Sequence, residues 1–349
     1  MTRPPLVRLG LAGVTAAALM SAALVATQSP PAGARMADAA AKFLATLSPE
    51  LKAKASLPFD DPNRTAWFFT PQQDKQRNPT RKGVRMEELS AEQKAAALDM
   101  LKAGLSAKGY EQASTIMSLE SILAELEGAK GAMVRNPNWY FVSVFGEPSA
   151  TGSWGWRVEG HHLSVNVTLE KGRVVAASPV VFGSNPAEVR QGPRKGLRPL
   201  PEIEDLAKDL IASLTPEQRE QAKQAKQLPE IKENSKAAGP GEPVGVPVGK
   251  LTEEQRATVW KLLAAYANRM PPDVAAAELG RVKDAGIQTM RFAYCVEEDK
   301  KGKPYSYRLH GPTVLVEFLN VQADSAGNPG NHIHSGWRRL PADFGLAGP

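Results

Sequence analysis

Two segments of this chain repeat each other, and that match limits the possible folds more than any other feature. Trp154-Gly-Trp-Arg-Val-Glu-Gly-His-His-Leu-Ser-Val-Asn-Val reads in register with Tyr305-Ser-Tyr-Arg-Leu-His-Gly-Pro-Thr-Val-Leu-Val-Glu-Phe. Aromatic, aromatic, Arg, aliphatic and Gly coincide at an offset of 151 residues. Upstream of each segment stand helix-start signatures: Leu47-Ser-Pro-Glu and Leu89-Ser-Ala-Glu-Gln before the first, Leu214-Thr-Pro-Glu-Gln and Leu251-Thr-Glu-Glu-Gln before the second. A Ser or Thr hydroxyl there accepts from a first-turn N–H, and Gln93, Gln218 and Gln255 stand where a capping box needs them. The Leu89/Leu251 offset is 162, and loops absorb the difference at little entropic cost. This order predicts an α+β fold of two pseudo-symmetric repeats, each of helices followed by a small antiparallel sheet, packed as one body. The repeats run 35–200 and 201–349. Residues 227–250, with Pro229, Pro240, Pro243 and Pro247 and no periodicity, read as a linker or surface arm.

Residues 1–34 stand apart. Arg3 and Arg8 precede an apolar run from Leu9 to Ala26, and Ala32-Gly33-Ala34 offers a small-residue cleavage site, the three-part pattern of a secretory signal. The expected location is therefore secreted or periplasmic, with no membrane association once the signal is removed. The chain carries 43 Lys+Arg against 37 Asp+Glu; residues 1–34 hold two arginines and no acid, which leaves +4 for the mature part. That bias is too small to call for nucleic acid. A single cysteine, Cys295, excludes an intramolecular disulfide framework and any cysteine-clustered metal site.

The five histidines are His161, His162, His310, His332 and His334, all in or just after the matched segments. Side chains alternate faces along a strand, so Glu159 would share a face with His161, and His332 with His334, while His162 would point away. A His-x-His pair with a third imidazole and a carboxylate makes a transition-metal site with an open position. On this reading His161, His332 and His334 are ligands of a divalent transition metal, Glu159 is ligand or catalytic base, and Asn331 or Ser335 steadies the rings. No nucleophile elbow is present. A second reading is a non-catalytic binder of a small molecule or carbohydrate, with Trp156 in a cleft and Arg157 and Arg308 each clamping a ligand carboxylate.

Asn136-Pro-Asn-Trp-Tyr-Phe-Val-Ser-Val-Phe-Gly-Glu-Pro, the Trp154 segment, Phe182-Gly-Ser-Asn-Pro-Ala-Glu-Val and Asn331-His-Ile-His-Ser-Gly-Trp-Arg together resemble the bacterial family known as domain of unknown function 3500, over about Phe43 to Gly345. The resemblance implies a family and no activity. The family pattern has Gln where His310 stands, which makes His310 the weakest ligand candidate. It also has Trp-Arg-Asp where this chain reads Trp337-Arg338-Arg339. The functional expectation is an exported metal-dependent enzyme, hydrolytic or oxidative, acting on a small-molecule substrate.

Overall fold

The computed structural model describes residues 30–128 and 131–347; the signal expected at the N-terminus lies, up to residue 29, outside them. In chain order the elements are α1 (Ala32–Thr46), α2 (Pro49–Ala55), β1 (Ser56–Leu57), β2 (Val84–Arg85), α3 (Ala91–Ala103), α4 (Ala107–Glu127), β3 (Phe141–Phe145), β4 (Ser153–Gly160), β5 (Leu163–Glu170), β6 (Arg173–Ser184), α5 (Pro201–Ser213), α6 (Pro216–Ala222), β7 (Val246–Pro247), α7 (Glu253–Ala267), α8 (Pro272–Asp284), β8 (Arg291–Val296), β9 (Tyr305–His310), β10 (Val314–Gln322) and β11 (His332–Arg339). The helices start where the caps place them. Ser48 accepts from the Leu51 N–H to open α2, and Ser90, Thr215 and Thr252 close reciprocal boxes with Gln93, Gln218 and Gln255 at α3, α6 and α7. Among the described residues no helix is long and apolar enough to cross a membrane. Helix α1 buries Ala32 and Gly33, and the Ala32 N–H donates to Asp273 at 2.9 Å. The boundary expected after residue 34 thus falls inside a packed helix.

The strands form one mixed sheet of eleven, in the order β1-β3-β4-β5-β6-β11-β10-β9-β8-β7, with β2 also on β3. This corrects the expectation of two small sheets. Strands β6 and β11 pair antiparallel, with Val180 opposite Trp337, and the ladder runs through the middle of the molecule. The reason is that two long strands ending separate sheets would each expose a row of unpaired amides, which their mutual pairing satisfies. The pairings are antiparallel except β1 with β3. Both outer edges end on two-residue strands, β1 and β7.

Alternate residues serve two cores, as the period of a strand requires. Val180, Phe182, Ile333, Trp337, Val316 and Phe318 pack with helix residues such as Met100, Ile116, Leu210 and Leu262. Val181 and Leu319 instead meet Trp67, Phe69, Ile231 and Phe344. Helices therefore cover one face, and irregular segments around Trp67 and Ile231 cover the other. Residues 227–250 run along this face and are anchored to it, with Leu228, Ile231 and Ala238 buried. Trp67 Nε1 donates to the Ser235 carbonyl at 3.0 Å, the Asn234 N–H to the Trp67 carbonyl at 2.8 Å, and Arg338 Nη1 to the Lys232 carbonyl at 3.1 Å. Up to Gly245 the segment lacks periodicity because its polar groups are met by side chains and loop backbone, and only Val246–Pro247 join the sheet, as β7.

Candidate metal centre

The centre lies at the middle of the sheet, where β4 turns into β5 and β11 begins. Gly160 pairs with Leu163, so His161 and His162 form a two-residue hairpin turn. His162 sits at φ +61°, in the left-handed region. Alternation holds only within a strand; in this turn the two rings lie side by side, stacked at 3.7 Å between centroids. The turn is pinned by the His162 N–H donating to the Phe69 carbonyl and its carbonyl accepting from Gly183, both at 2.7 Å. His332 and His334 share one face of β11, and Ile333 is buried in the helix-side core.

His162, His332 and His334 offer one ring nitrogen each, all within 4.8 Å of one another, a group that can hold a metal ion. The Nε2 atoms of His162 and His332 are 2.8 Å apart. Two nitrogens at that separation either share a proton or flank a cation. His334 Nδ1 meets Glu230 Oε2 at 2.9 Å, which leaves Nε2 to the cluster in the carboxylate–imidazole arrangement that orients metal ligands. Burial, then the neighbouring rings, pushes His162 well below the ordinary imidazole range; burial with His334 and His161 takes His332 to about 2. Both rings are neutral, as a ligand must be. Burial works against the charge of Glu230, but its bond to His334 outweighs that and holds the carboxyl below its usual value.

The third imidazole is thus His162, where the period of two had placed His161. His161 Nδ1 is held very close to the Glu120 carboxylate, and Arg135 Nη1 lies 3.2 Å from the same nitrogen. Arg135 also pairs with Glu127 at 2.9 Å, whose other oxygen accepts from Ser325 at 2.7 Å. Around the imidazoles stand the carboxylates of Glu120, Glu127 and Glu230 and the guanidiniums of Arg135 and, beside His161, Arg81. The structure does not bring Glu159 to the imidazoles. Its Oε2 accepts from the Phe68 N–H at 2.8 Å, and its Oε1 faces Arg157 at 3.3 Å and Arg81 at 3.9 Å. Nor do Arg157 and Arg308 await a ligand: they hold the protein's own Glu159 and Glu317, and each donates to a loop carbonyl, of Asn63 and Pro240. Trp156 is buried in the helix-side core, and His310 ends β9 away from the other four. Asn331 turns to Asp324 at 2.7 Å and Ser335 to the Phe182 carbonyl at 2.6 Å, so neither steadies a ring. Glu120, Glu127, Arg135 and Glu230 escaped the sequence reading. Only the His161-His162 doublet between two alternating segments carried a signal, that of a two-residue turn.

A family model described as "Protein of unknown function (DUF3500)" matches residues 31–346. No curated protein and no solved structure matches the chain.

Proposed function

We propose, for a chain that belongs to this family of unknown function, that it is an exported metal-dependent enzyme whose centre is His162, His332 and His334. The observation that carries the reading is the convergence of three imidazole nitrogens within 4.8 Å. Metal–nitrogen bonds of about 2.0–2.1 Å need only a small closure from there, and three protein ligands leave a position for substrate or water. A bound divalent ion would supply Lewis acidity, or electron transfer if redox-active. Glu230 holds the ring of His334, Glu120 that of His161, and Arg135 brings positive charge to the imidazoles. The binding-protein alternative loses support because Arg157, Arg308 and Trp156 are buried and engaged within the protein.

Metal analysis of tag-free protein tests the proposal. A single divalent ion per chain is expected, lost in His332→Ala and in His162→Ala. Its identity separates hydrolysis (zinc) from oxidation (copper or iron). A metal-free protein that takes up none of these ions on titration would end the reading. Export is tested by N-terminal sequencing of material outside the cytoplasm; a start at Met1 counts against it.

The duplication belongs to the same proposal. Two residues that face each other at the centre, Val180 and Trp337, support a pseudo-twofold axis between them. Leu163 pairs with Phe182 and Val314 with Arg339 in corresponding hairpins. Gly83 and Gly245, both at φ +103°, enter β2 and β7, where a Cβ would strike the carbonyls of Val142 and Phe292. By this correspondence Thr313 stands where His162 does, and past the bulge in β6 Ala176 stands where His334 does. The metal chemistry is then an addition to one half only.

A further inference from the structure

We infer a ligand site outside the imidazole cluster, in the cationic cleft between α2, β2 and β3, and assign it to a small organic anion, an oxyanion head on an apolar body. The cleft has a volume of about 390 Å³, within the range of small-molecule sites. Lys54, Arg81, Lys82 and Arg85 line it against one carboxylate, Glu88. Leu57, Pro79 and Phe141 supply an apolar wall.

The carboxylates within reach are already committed. Glu88 accepts from Lys54 Nζ and, at 3.2 Å, from the Arg85 N–H. Glu87 lies 3.2 Å from Arg85 Nε and also accepts from Trp139 and Asn136. Glu50 stands 3.8 Å from Lys54, on the exposed side of α2. Lys82 is exposed and forms no ion pair among the described residues.

Arg81 is the fixed point of the cleft. Its side chain is 4 % exposed, so salt screens its charge less than that of a surface residue. Its Nη2 donates to the Thr70 and Gly160 carbonyls. Its sealed Nε lies 3.9 Å from Glu159, an acid that Arg157 holds closer, at 3.3 Å. Glu233, the other acid acting on Arg81, is taken up by the N–H groups of Phe69 and Thr70. Nη1 donates to nothing among the described residues and yet is not sealed. A guanidinium pinned from one side keeps its remaining donors pre-organised, and its planar fork matches carboxylate and phosphate oxygens. Arg81 also borders a void of about 20 Å³ beside His161, which has room for a single water. An organic ligand therefore meets Arg81 from the cleft.

Benzoate and benzamide test the assignment, being nearly the same shape and differing in charge. Isothermal titration of the full chain is expected to show saturable benzoate binding at least tenfold tighter than benzamide, weakening as salt is raised. Phenyl phosphate is titrated beside them; tighter binding of either anion than of benzamide supports the site, and the better anion names the head group. Lys82→Met should weaken the better anion about two- to fivefold, and Arg81→Met about tenfold or more. If Arg81→Met does not fold, Lys82→Met alone decides. Chelation of any metal should leave anion binding unchanged; its loss would put the anion at the proposed centre and overturn this site. Benzamide binding as tightly as both anions would overturn it too. So would absence of saturable anion binding, or an anion affinity unmoved in every folded variant.

Discussion

A methyl group at position 183 would lie 2.6 Å from the Ile333 carbonyl oxygen and 2.8 Å from His162 Cδ2. Glycine there lets β6 approach β11 while the imidazole of His162 lies across it. Gly183→Ala is therefore expected to cost about 1–3 kcal/mol and to displace His162, lowering metal affinity. Denaturant melts and metal titration check the two effects; unaltered uptake would mean that His162 is not held by this contact. Glu230→Gln keeps the shape at His334 and removes the charge, so metal affinity should fall about 10–100-fold, read by chelator competition, with little change in folding. The His332/His334 pair was legible because both lie within one strand, where a period of two is enforced by the backbone. His162 was not, because its neighbour on the chain belongs to a turn. Glu230 could not be found from sequence at all: it meets His334 across 104 positions, from a segment with no period to read.

Helix starts and the covering segment differ in what makes them readable. A cap is a bond between neighbours, as between Ser90 and Gln93, so four residues contain the whole instruction. Ser90→Ala should cost about 1 kcal/mol, visible as a lower urea midpoint at unchanged slope. The segment from Gln227 onward takes its shape from distant partners: Glu233 accepts from the N–H groups of Phe69 and Thr70, and Ile231 sinks between Val181 and Phe344. Proline, glycine and charge are all that such a stretch shows in sequence. Ile231→Ala should cost about 2–5 kcal/mol and weaken metal binding as well, since Ile231 anchors the backbone that presents Glu230. A loss of stability with metal affinity unmoved would show that Glu230 is positioned independently of this core.

On the scale of the molecule the α+β class was legible from the order of caps and alternating segments, while the single sheet was not, because strand pairing between β6 and β11 leaves no mark in either strand alone. That central ladder joins the two halves of the chain through strands as well as through side chains. Residues 30–197 and 198–347, produced together, are expected to copurify as a folded complex that takes up metal, whereas neither fragment holds a stable fold alone. Circular dichroism and size-exclusion chromatography decide it, and fragments that stay apart would mean that the covalent connection is required. The brevity of β1 and β7 carries a different implication. Each two-residue strand pairs with part of the last long strand, so a second molecule arriving edge-on finds few aligned amides to template its own growth. So wide a sheet is thereby expected to resist edge-to-edge pairing between copies.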